Sequence, residues 1–272
     1  MIQVKDVTKK YGNFIAVKNL NFEIKHGEVI GFLGPNGAGK STTMNMLTGF
    51  IEPSEGSIII NGKDIVKKAR EAKKNIGYMP ENVPLYLDLT VREFVTYMAE
   101  LKLVQRKERK KQVEEIIKAT GLEDVKNKLI RNLSRGYKQR VSMAGALVGN
   151  PEVIILDEPT AMLDPNGRKD VIRTVHELNK KEGITVLLIT HYMEEAIDAD
   201  RVIVMDDGKV IMDGIPKEIF SRVKELKEHG LDVPQATELA FELKEAGMPL
   251  TEGILSRQEL VEQLTALLSD EK

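Results

Sequence analysis

The 272-residue chain contains no cysteine, no tryptophan and no long hydrophobic run. Without cysteine it can form no disulfide and carry out no thiol chemistry, which suits a reducing compartment. Its longest apolar runs are "VIIL" (153–156) and "VLLI" (186–189), far short of the roughly 20 residues of a membrane-spanning helix. The opening "MIQVKDVTKKYG" lacks a basic segment followed by an apolar one. We therefore expect the chain to work inside the cell and to reach a membrane only through a partner.

A strong excess of either charge is also missing. The chain has 40 lysines and arginines against 42 aspartates and glutamates, a formal net charge of −2. Such a balance provides no basic field for nucleic acid, so we do not expect a nucleic-acid partner. The composition, 42% hydrophobic and 30% charged, is typical of a globular protein, and the length allows one large domain with an appendage.

The order of apolar segments predicts an α/β core. Strand patterns alternate with helical ones, which favours a mainly parallel sheet. Short strands are predicted at 28–33, 57–61, 75–79, 152–157 and 184–190. Residues 13–24 indicate an antiparallel β entry subdomain, and 201–214 form a hairpin pattern with Asp-Gly at the turn. A helix is predicted from about Lys40 to Thr48, directly after a glycine-rich loop.

Two regions read as helical. Residues 90 to about 130 are charged and poor in β-branched side chains, and a helix at 134–149 carries a buried stripe. Its members are Val141, Ala144, Gly145 and Val148. After Pro216, a capping box at Ser256 and Glu259 begins the last helix, whose apolar stripe is Leu260, Leu264, Leu267 and Leu268. We expect a domain at 1–214 with an α-helical subdomain inserted at about 88–150, and a C-terminal helical extension at 215–272.

The stretch "GPNGAGKS" (34–41) fits the phosphate-loop pattern G-x-x-x-x-G-K-[ST] between a strand and a helix. Its glycines let backbone N–H groups turn toward phosphates, and the helix N-terminus adds partial positive charge. We expect Lys40 to reach the β- and γ-phosphates of a nucleotide and Ser41 to ligate Mg²⁺.

Three further side chains follow predicted parallel strands. Asp157 and Glu158 end the strand in "VIILDEPT" (153–160), where Asp157 would serve Mg²⁺ and Glu158 would polarise an attacking water. His191 follows the strand "ITVLLIT". Because the carboxyl ends of parallel strands share one edge of a sheet, His191 should face the same crevice and contact the γ-phosphate or orient the water.

Together these motifs make residues 1 to about 214 resemble the ATP-binding cassette of ABC transporters, a P-loop NTPase fold. The resemblance implies that Tyr11 stacks on adenine and that Asp164, in "AMLD", lies near a dimer interface. It implies an ATP-binding loop of Asn36, Gly37, Ala38, Gly39, Lys40, Ser41 and Thr42. It also implies a signature sequence, acting on the ATP of a partner chain, at Leu133, Ser134, Arg135, Gly136 and Tyr137.

The chain departs from the family pattern at two places. Arg135 and Tyr137 replace the first glycine and the glutamine of Leu-Ser-Gly-Gly-Gln. Glu81 stands where the family usually has the Q-loop glutamine. A carboxylate is an oxygen ligand, so Glu81 could still contact Mg²⁺; the alternative is a solvated loop carboxylate.

The resemblance implies an ATP-hydrolysing subunit whose ATP-driven dimer closure powers a separate integral membrane subunit at the cytoplasmic face of the membrane. The second ATPase could be identical or different. The membrane subunit would dock on the Q-loop region and the helical segment 88–130.

Residues 1 to about 150 resemble exporter-type drug or polysaccharide cassettes, and about 155–272 resemble the ATPase of energy-coupling-factor (ECF) vitamin or metal importers. Two explanations are consistent with these resemblances: a chimera of two parent proteins, and ordinary divergence within one broad family. The alternative from another class is a soluble ABC ATPase acting on DNA or ribosomes, which the balanced charge disfavours.

Overall fold

The computed structural model describes residues 1–82 and 84–270 and contains two β-sheets flanked by helices. The strands are β1 (Ile2–Tyr11), β2 (Phe14–Ile24), β3 (Val29–Leu33), β4 (Glu55–Ile60), β5 (Lys63–Asp64), β6 (Ile76–Met79), β7 (Val153–Asp157), β8 (Thr185–Ile189), β9 (Arg201–Asp206) and β10 (Lys209–Gly214). The helices are α1 (Lys40–Leu47), α2 (Ala69–Lys74), α3 (Val91–Leu101), α4 (Arg106–Ala119), α5 (Arg135–Leu147), α6 (Pro165–Glu182), α7 (Met193–Ala196), α8 (Pro216–Phe220), α9 (Val223–Glu228), α10 (Gln235–Glu245) and α11 (Arg257–Asp270). None of these helices, over the ranges described, has the length and apolar character needed to cross a bilayer.

The larger sheet has six strands in the order β10-β9-β3-β8-β7-β6. All of its pairings are parallel except the β9–β10 hairpin. Every residue of β3 and β8 is buried, as expected for strands covered on both faces. The mainly parallel core sheet is therefore confirmed, and the carboxyl ends of β3, β8, β7 and β6 lie side by side along one edge.

The smaller sheet is antiparallel, with the order β2-β1-β4-β5. Its central strand, β1, was not recognised in the sequence because its pairing register shifts between Val4 and Val7. Asp6, between them, has a positive φ of 51°, and the shift breaks the apolar alternation that marks a strand. Phe22 and Phe32, with ring centroids 5.9 Å apart, pack the two sheets against each other. The predicted antiparallel entry sheet is confirmed.

Helices α3, α4 and α5 form the inserted helical layer. Thr90 and Glu93 make a capping box at the start of α3. On α5 the predicted stripe of Val141, Ala144 and Val148 is completely buried. The fourth residue of the stripe, Gly145, is buried too, but so is every other residue from 141 to 148, so this end of α5 is covered on all sides and not along one stripe only.

The segment after Gly214 is helical, as expected. Phe220 and Leu226 join the buried cluster of Val202 and Val204 on β9, so this segment packs on the sheet. The capping box is confirmed, because Ser256 N–H donates to the Glu259 carboxylate (3.3 Å) and Glu259 N–H to the Ser256 hydroxyl (3.2 Å).

The prediction that Leu268 belongs to the buried apolar stripe of α11 is wrong. Leu260 is buried, and Leu264 and Leu267 pack against the cluster shared with α10. Leu268 is 68% exposed. It lies one turn past Leu264 on nearly the same side of the helix, but in the last turn of α11, beyond the contact with α10. The proposed division of the chain at 214 stays a prediction.

Candidate active site

The predicted catalytic residues meet at one edge of the larger sheet. The phosphate loop follows β3, His191 follows β8, Asp157 and Glu158 end β7, and Glu81 follows β6. These four strands are adjacent and parallel. The cleft between them, about 320 Å³, is lined by Phe14, Ala16, Asn36, Gly37, Ala38, Gly39, Lys40, Ser41, Thr42, Glu81, Asp157, Glu158, Ile189 and His191. Strand order thus brings together Asn36 of the phosphate loop and His191, which are 155 positions apart in sequence.

The phosphate loop needs its glycines. Gly37 and Gly39 have φ angles of 85° and 94°, in the left-handed region that favours glycine. A Cβ on Gly39 would lie 2.7 Å from the carbonyl oxygen of Ala16, whereas Gly37 faces open space. Helix α1 begins at Lys40 with no side-chain cap, so its first N–H groups are left to an anion. The loop has the form of a cradle for phosphate groups.

Lys40 lies at the mouth of this cradle. Its ammonium donates hydrogen bonds to the carbonyl oxygens of Gly34 (2.5 Å) and Pro35 (2.9 Å). Burial lowers the pKa of Lys40, and the negative charges of Glu158 and Asp157 oppose that change. An ammonium held near two carboxylates and a row of N–H groups is well placed to bind an oxygen-rich anion.

Asp157 lies in an electrostatically unfavourable position. Burial, followed by the charges of Glu158 and Glu81, raises its pKa to about 6. A hydrogen bond with Tyr78 opposes that rise, and burial raises the pKa of Tyr78 to about 12. A cation among these three carboxylates would remove the repulsion, and hard oxygen donors are the ligands that Mg²⁺ prefers. Within the described ranges no group of three or more acidic or histidine side chains converges tightly enough to hold a metal alone. Mg²⁺ here would need the Ser41 hydroxyl and the oxygens of a bound phosphate as well.

Glu158 and His191 form a close pair. Nδ1 of His191 lies 2.8 Å from Oε2 of Glu158, but the angles do not make a hydrogen bond, and this buried oxygen has no hydrogen-bond partner among the described groups. Such an oxygen is costly unless it serves a ligand. The His191 side chain is 56% exposed, so the pair opens to the cleft. A carboxylate and an imidazole beside a phosphate cradle can receive a water molecule and accept its proton.

The signature residues lie outside this cleft. Ser134 caps α5, with its hydroxyl accepting from Tyr137 N–H at 3.4 Å, and Leu133 is buried beneath it. Asp164 caps α6 in the same way, accepting from Gly167 N–H at 3.4 Å. A separate open cleft of about 500 Å³ is lined by Ser134, Arg135, Gly136, Tyr137, Arg140, Met162, Leu163, Asp164, Gly167 and Asp170. The signature residues and Asp164 therefore share one surface, away from the chain's own phosphate loop.

The aromatic side chain that lines the phosphate cleft is Phe14, which the sequence analysis missed. Tyr11 and Phe14 face each other across the tight β1–β2 turn. Phe14 is 66% exposed and lines the cleft, while Tyr11 is half-exposed, lies beneath the Lys9 ammonium and does not line it. The sequence feature that could have indicated this role is an aromatic residue at a turn in the segment that precedes the glycine-rich loop. The adenine-stacking role of Tyr11 stays a prediction.

Comparisons with known proteins agree with this geometry. The sequence pattern of the ABC transporter family matches residues 17–161. The chain is 43% identical to the energy-coupling factor transporter ATP-binding protein EcfA1 of Clostridium novyi (strain NT), over 98% of each chain. Its fold matches that of cbiO1 from Clostridium perfringens, part of the ABC transporter complex cbiONQ, with a TM-score of 0.76, 36% identity and coverage of 84% of this chain and 93% of that one. It also matches a dimeric post-hydrolysis state of the cassette MJ0796 bound to ADP and Pi, with a TM-score of 0.70, 32% identity and coverage of 79% and 99%.

Proposed function

The chain belongs to the ABC transporter family as an ATP-hydrolysing subunit, and on this premise we propose how its residues bind ATP, hydrolyse it and drive a membrane partner. One observation carries the proposal: four adjacent parallel strands deliver the phosphate loop, His191, the pair Asp157–Glu158 and Glu81 to one cleft. Such convergence fits phosphoryl transfer, in which catalysis is positioning plus electrostatic stabilisation.

ATP binds through the loop 36–42. The N–H groups of the loop and of the first turn of α1 hold the phosphates, and Lys40 neutralises charge on the β- and γ-phosphates. Ser41 and Asp157 would hold Mg²⁺, with Glu81 as a further oxygen donor, and the ion would neutralise the charge that develops on the phosphates. The raised pKa of Asp157 supports this assignment, because burial and then the charges of Glu158 and Glu81 disfavour the ionised carboxylate, and a bound cation would offset both.

Hydrolysis uses the pair of Glu158 and His191. Glu158 accepts a proton from the water whose oxygen attacks the γ-phosphorus, while the bond to the β-phosphate oxygen breaks and ADP leaves. His191 orients that water or contacts the γ-phosphate. The position of Glu158 at the wall of the cleft, 2.8 Å from Nδ1 of His191, supports its role as the acceptor.

The signature sequence serves a second cassette. Ser134 and Gly136 are accessible at the start of α5, where N–H groups favour an anion, and they face away from the chain's own cleft. Head-to-tail pairing under a two-fold axis would cover each ATP with the partner's signature. ATP then stabilises the closed pair, and hydrolysis lets it open. The second cassette is another copy of this chain or a related ATPase.

A membrane subunit docks in the groove between β6 and the helical layer. This groove, about 460 Å³, is lined by Asn45, Thr48, Phe50, Lys73, Ile76, Tyr78, Pro80, Met98, Lys102, Gly145 and Ala146. Phe50 is 81% exposed there, the highest value among the large apolar side chains of the described residues. The groove suits a short amphipathic segment of a membrane subunit at the cytoplasmic face, and the full-length match to ECF ATP-binding proteins supports import of a small nutrient. DNA or ribosomes as the target are not favoured.

The test is Glu158→Gln in the full-length protein. We expect loss of ATP turnover and an ATP-dependent dimer that elutes early from a sizing column, because ATP still binds but is not consumed. Lys40→Ala is the matched control and should neither hydrolyse ATP nor dimerise. Turnover that survives Glu158→Gln would contradict the proposed role.

A further inference from the structure

A buried carboxylate behind the active site joins the two loops that carry Glu158 and His191. Glu195, on α7, is 6% exposed. One of its oxygens accepts from the hydroxyl of Thr160 at 2.5 Å, and the other accepts from the hydroxyl of Thr190 at 2.8 Å. Thr160 lies two residues after Glu158, and Thr190 directly precedes His191. We call this set the Thr160–Glu195–Thr190 bridge.

The loop that carries Glu158 needs support from its surroundings. Glu158 has a φ of 50°, in the left-handed region, which is strained for a residue other than glycine. A backbone hydrogen bond from Glu158 N–H to the carbonyl of Ile189 (2.9 Å) joins the loop to β8. The bridge adds a second connection, made by side chains, between the same two segments.

The hydrogen bonds of the bridge have a defined direction. The Thr190 hydroxyl oxygen accepts from Tyr192 N–H at 3.0 Å, so its proton points to Glu195. A hydroxyl has one proton to donate, and a carboxylate only accepts, so both bonds are satisfied by an ionised Glu195. Burial raises the pKa of Glu195, and the two threonine hydroxyls oppose that rise. Both threonines are completely buried, so water does not substitute easily for either bond.

We propose that Glu195 is a positioning residue that sets the separation of Glu158 and His191 for ATP hydrolysis. This inference rests on the roles proposed above for those two residues. Glu195 lies behind the cleft and is not among the residues that line it. The phosphate loop is attached to β3 and α1 and has no bond to the bridge. Loss of the bridge should therefore slow hydrolysis and leave ATP binding intact.

The test is steady-state ATPase kinetics of full-length Glu195→Ala and Glu195→Gln with Mg²⁺. A displacement of about 1 Å at a catalytic group costs on the order of 100-fold, so Glu195→Ala should lower kcat about 10- to 100-fold. The kcat of Glu195→Gln should lie between those of Glu195→Ala and wild type, because the amide oxygen of glutamine can still accept one of the two hydrogen bonds. ATP affinity, measured with a fluorescent ATP analogue, should change less than about threefold, since binding does not use the bridge. Unchanged kcat in both variants would overturn the proposal.

Thr185→Val is the matched control for a loss of stability. Thr185 is completely buried on the same strand as Ile189, and its hydroxyl accepts from Gly27 N–H at 2.9 Å at the opposite end. Thr190→Val makes the same replacement as Thr185→Val, a hydroxyl by a methyl group, but it removes one hydrogen bond of the bridge. Both should lower the thermal midpoint, but Thr190→Val alone should lower kcat. If Thr185→Val and Thr190→Val lower the thermal midpoint equally and also lower kcat equally, the proposal is overturned.

A double variant separates this inference from the function on which it rests. If Glu158→Gln keeps wild-type turnover, the role of Glu158 fails and the bridge fails with it. If Glu158→Gln is inactive while the Glu195 variants keep wild-type kcat, the bridge alone fails. If Glu195 acts through Glu158, adding Glu195→Gln to Glu158→Gln should change the residual rate less than about twofold. If Glu195→Gln lowers the ATPase rate of Glu158→Gln by as large a factor as it lowers the rate of the wild-type protein, the proposal is overturned.

Discussion

Asp157 should reduce the folding stability of the nucleotide-free protein, so Asp157→Asn should stabilise it. The pKa of Asp157 is raised to about 6 from an ordinary value of 3.8, mainly by burial. Between about pH 4 and pH 6 the folded protein therefore holds a proton that the unfolded chain has released. The free energy of unfolding falls as pH rises through this window, and the full cost is present at pH 7.

The size of the effect follows from the pKa difference. At about 1.4 kcal/mol per pH unit the difference corresponds to roughly 3 kcal/mol, which partial exposure to solvent reduces to about 1–2 kcal/mol. Urea denaturation without nucleotide or Mg²⁺ should show Asp157→Asn more stable than wild type by that amount at pH 7.5, with little difference near pH 4. The exposed Asp124→Asn is the control and should change stability by less than about 0.5 kcal/mol. An Asp157→Asn variant that is no more stable at pH 7.5, or equally stabilised at both pH values, would refute the reasoning.

Three further predictions concern the cleft and the groove. Glu81→Gln should raise the Mg²⁺ concentration needed for half-maximal ATPase activity because a charged oxygen ligand is lost; an unchanged Mg²⁺ profile would contradict its role at the metal. Phe14→Ala should weaken ATP binding about 10-fold if its ring contacts the nucleotide, as a stacking contact contributes of order 1–3 kcal/mol, and Tyr11→Ala measured beside it shows which aromatic side chain does so. Phe50→Ser should abolish co-purification with the membrane subunit and keep the ATPase rate of the isolated chain; co-purification at wild-type level would exclude the groove as the docking site.

The sequence predicted the parallel core and the main catalytic residues because their signals are local. The phosphate loop is a contiguous motif between a strand and a helix. Asp157, Glu158 and His191 each follow a continuous apolar strand, and parallel strands end at one edge. Convergence of these residues could therefore be predicted without knowing the strand order.

Other features depend on contacts between distant segments. Phe14 reaches the cleft only because the β1–β2 turn lies over the loop after β3. The Thr160–Glu195–Thr190 bridge connects three segments whose residues are ordinary in sequence. Leu268 fits an apolar pattern, but its exposure depends on where the contact of α11 with α10 ends.

The two resemblances seen in the sequence do not require a junction between different parents. The match to the ECF ATP-binding protein runs through 98% of the chain at 43% identity, so it includes the segment that resembles exporter cassettes. This coverage favours divergence within one family. Arg135, Tyr137 and Glu81 are then local departures on that background. Arg135 and Tyr137 lie on the surface offered to another cassette, whereas Glu81 lies in the chain's own cleft.

We propose that each ATP site is completed by the signature of a second cassette. Mixing two inactive full-length variants tests it most directly. Lys40→Ala disables the chain's own phosphate loop and leaves its signature intact. Ser134→Asp keeps a good helix cap but directs negative charge at the partner's ATP. We predict that an equal mixture recovers about a quarter to a half of the wild-type ATPase rate, since each mixed dimer holds one intact site of two. A rate no higher than the sum of the two variants alone would contradict the account.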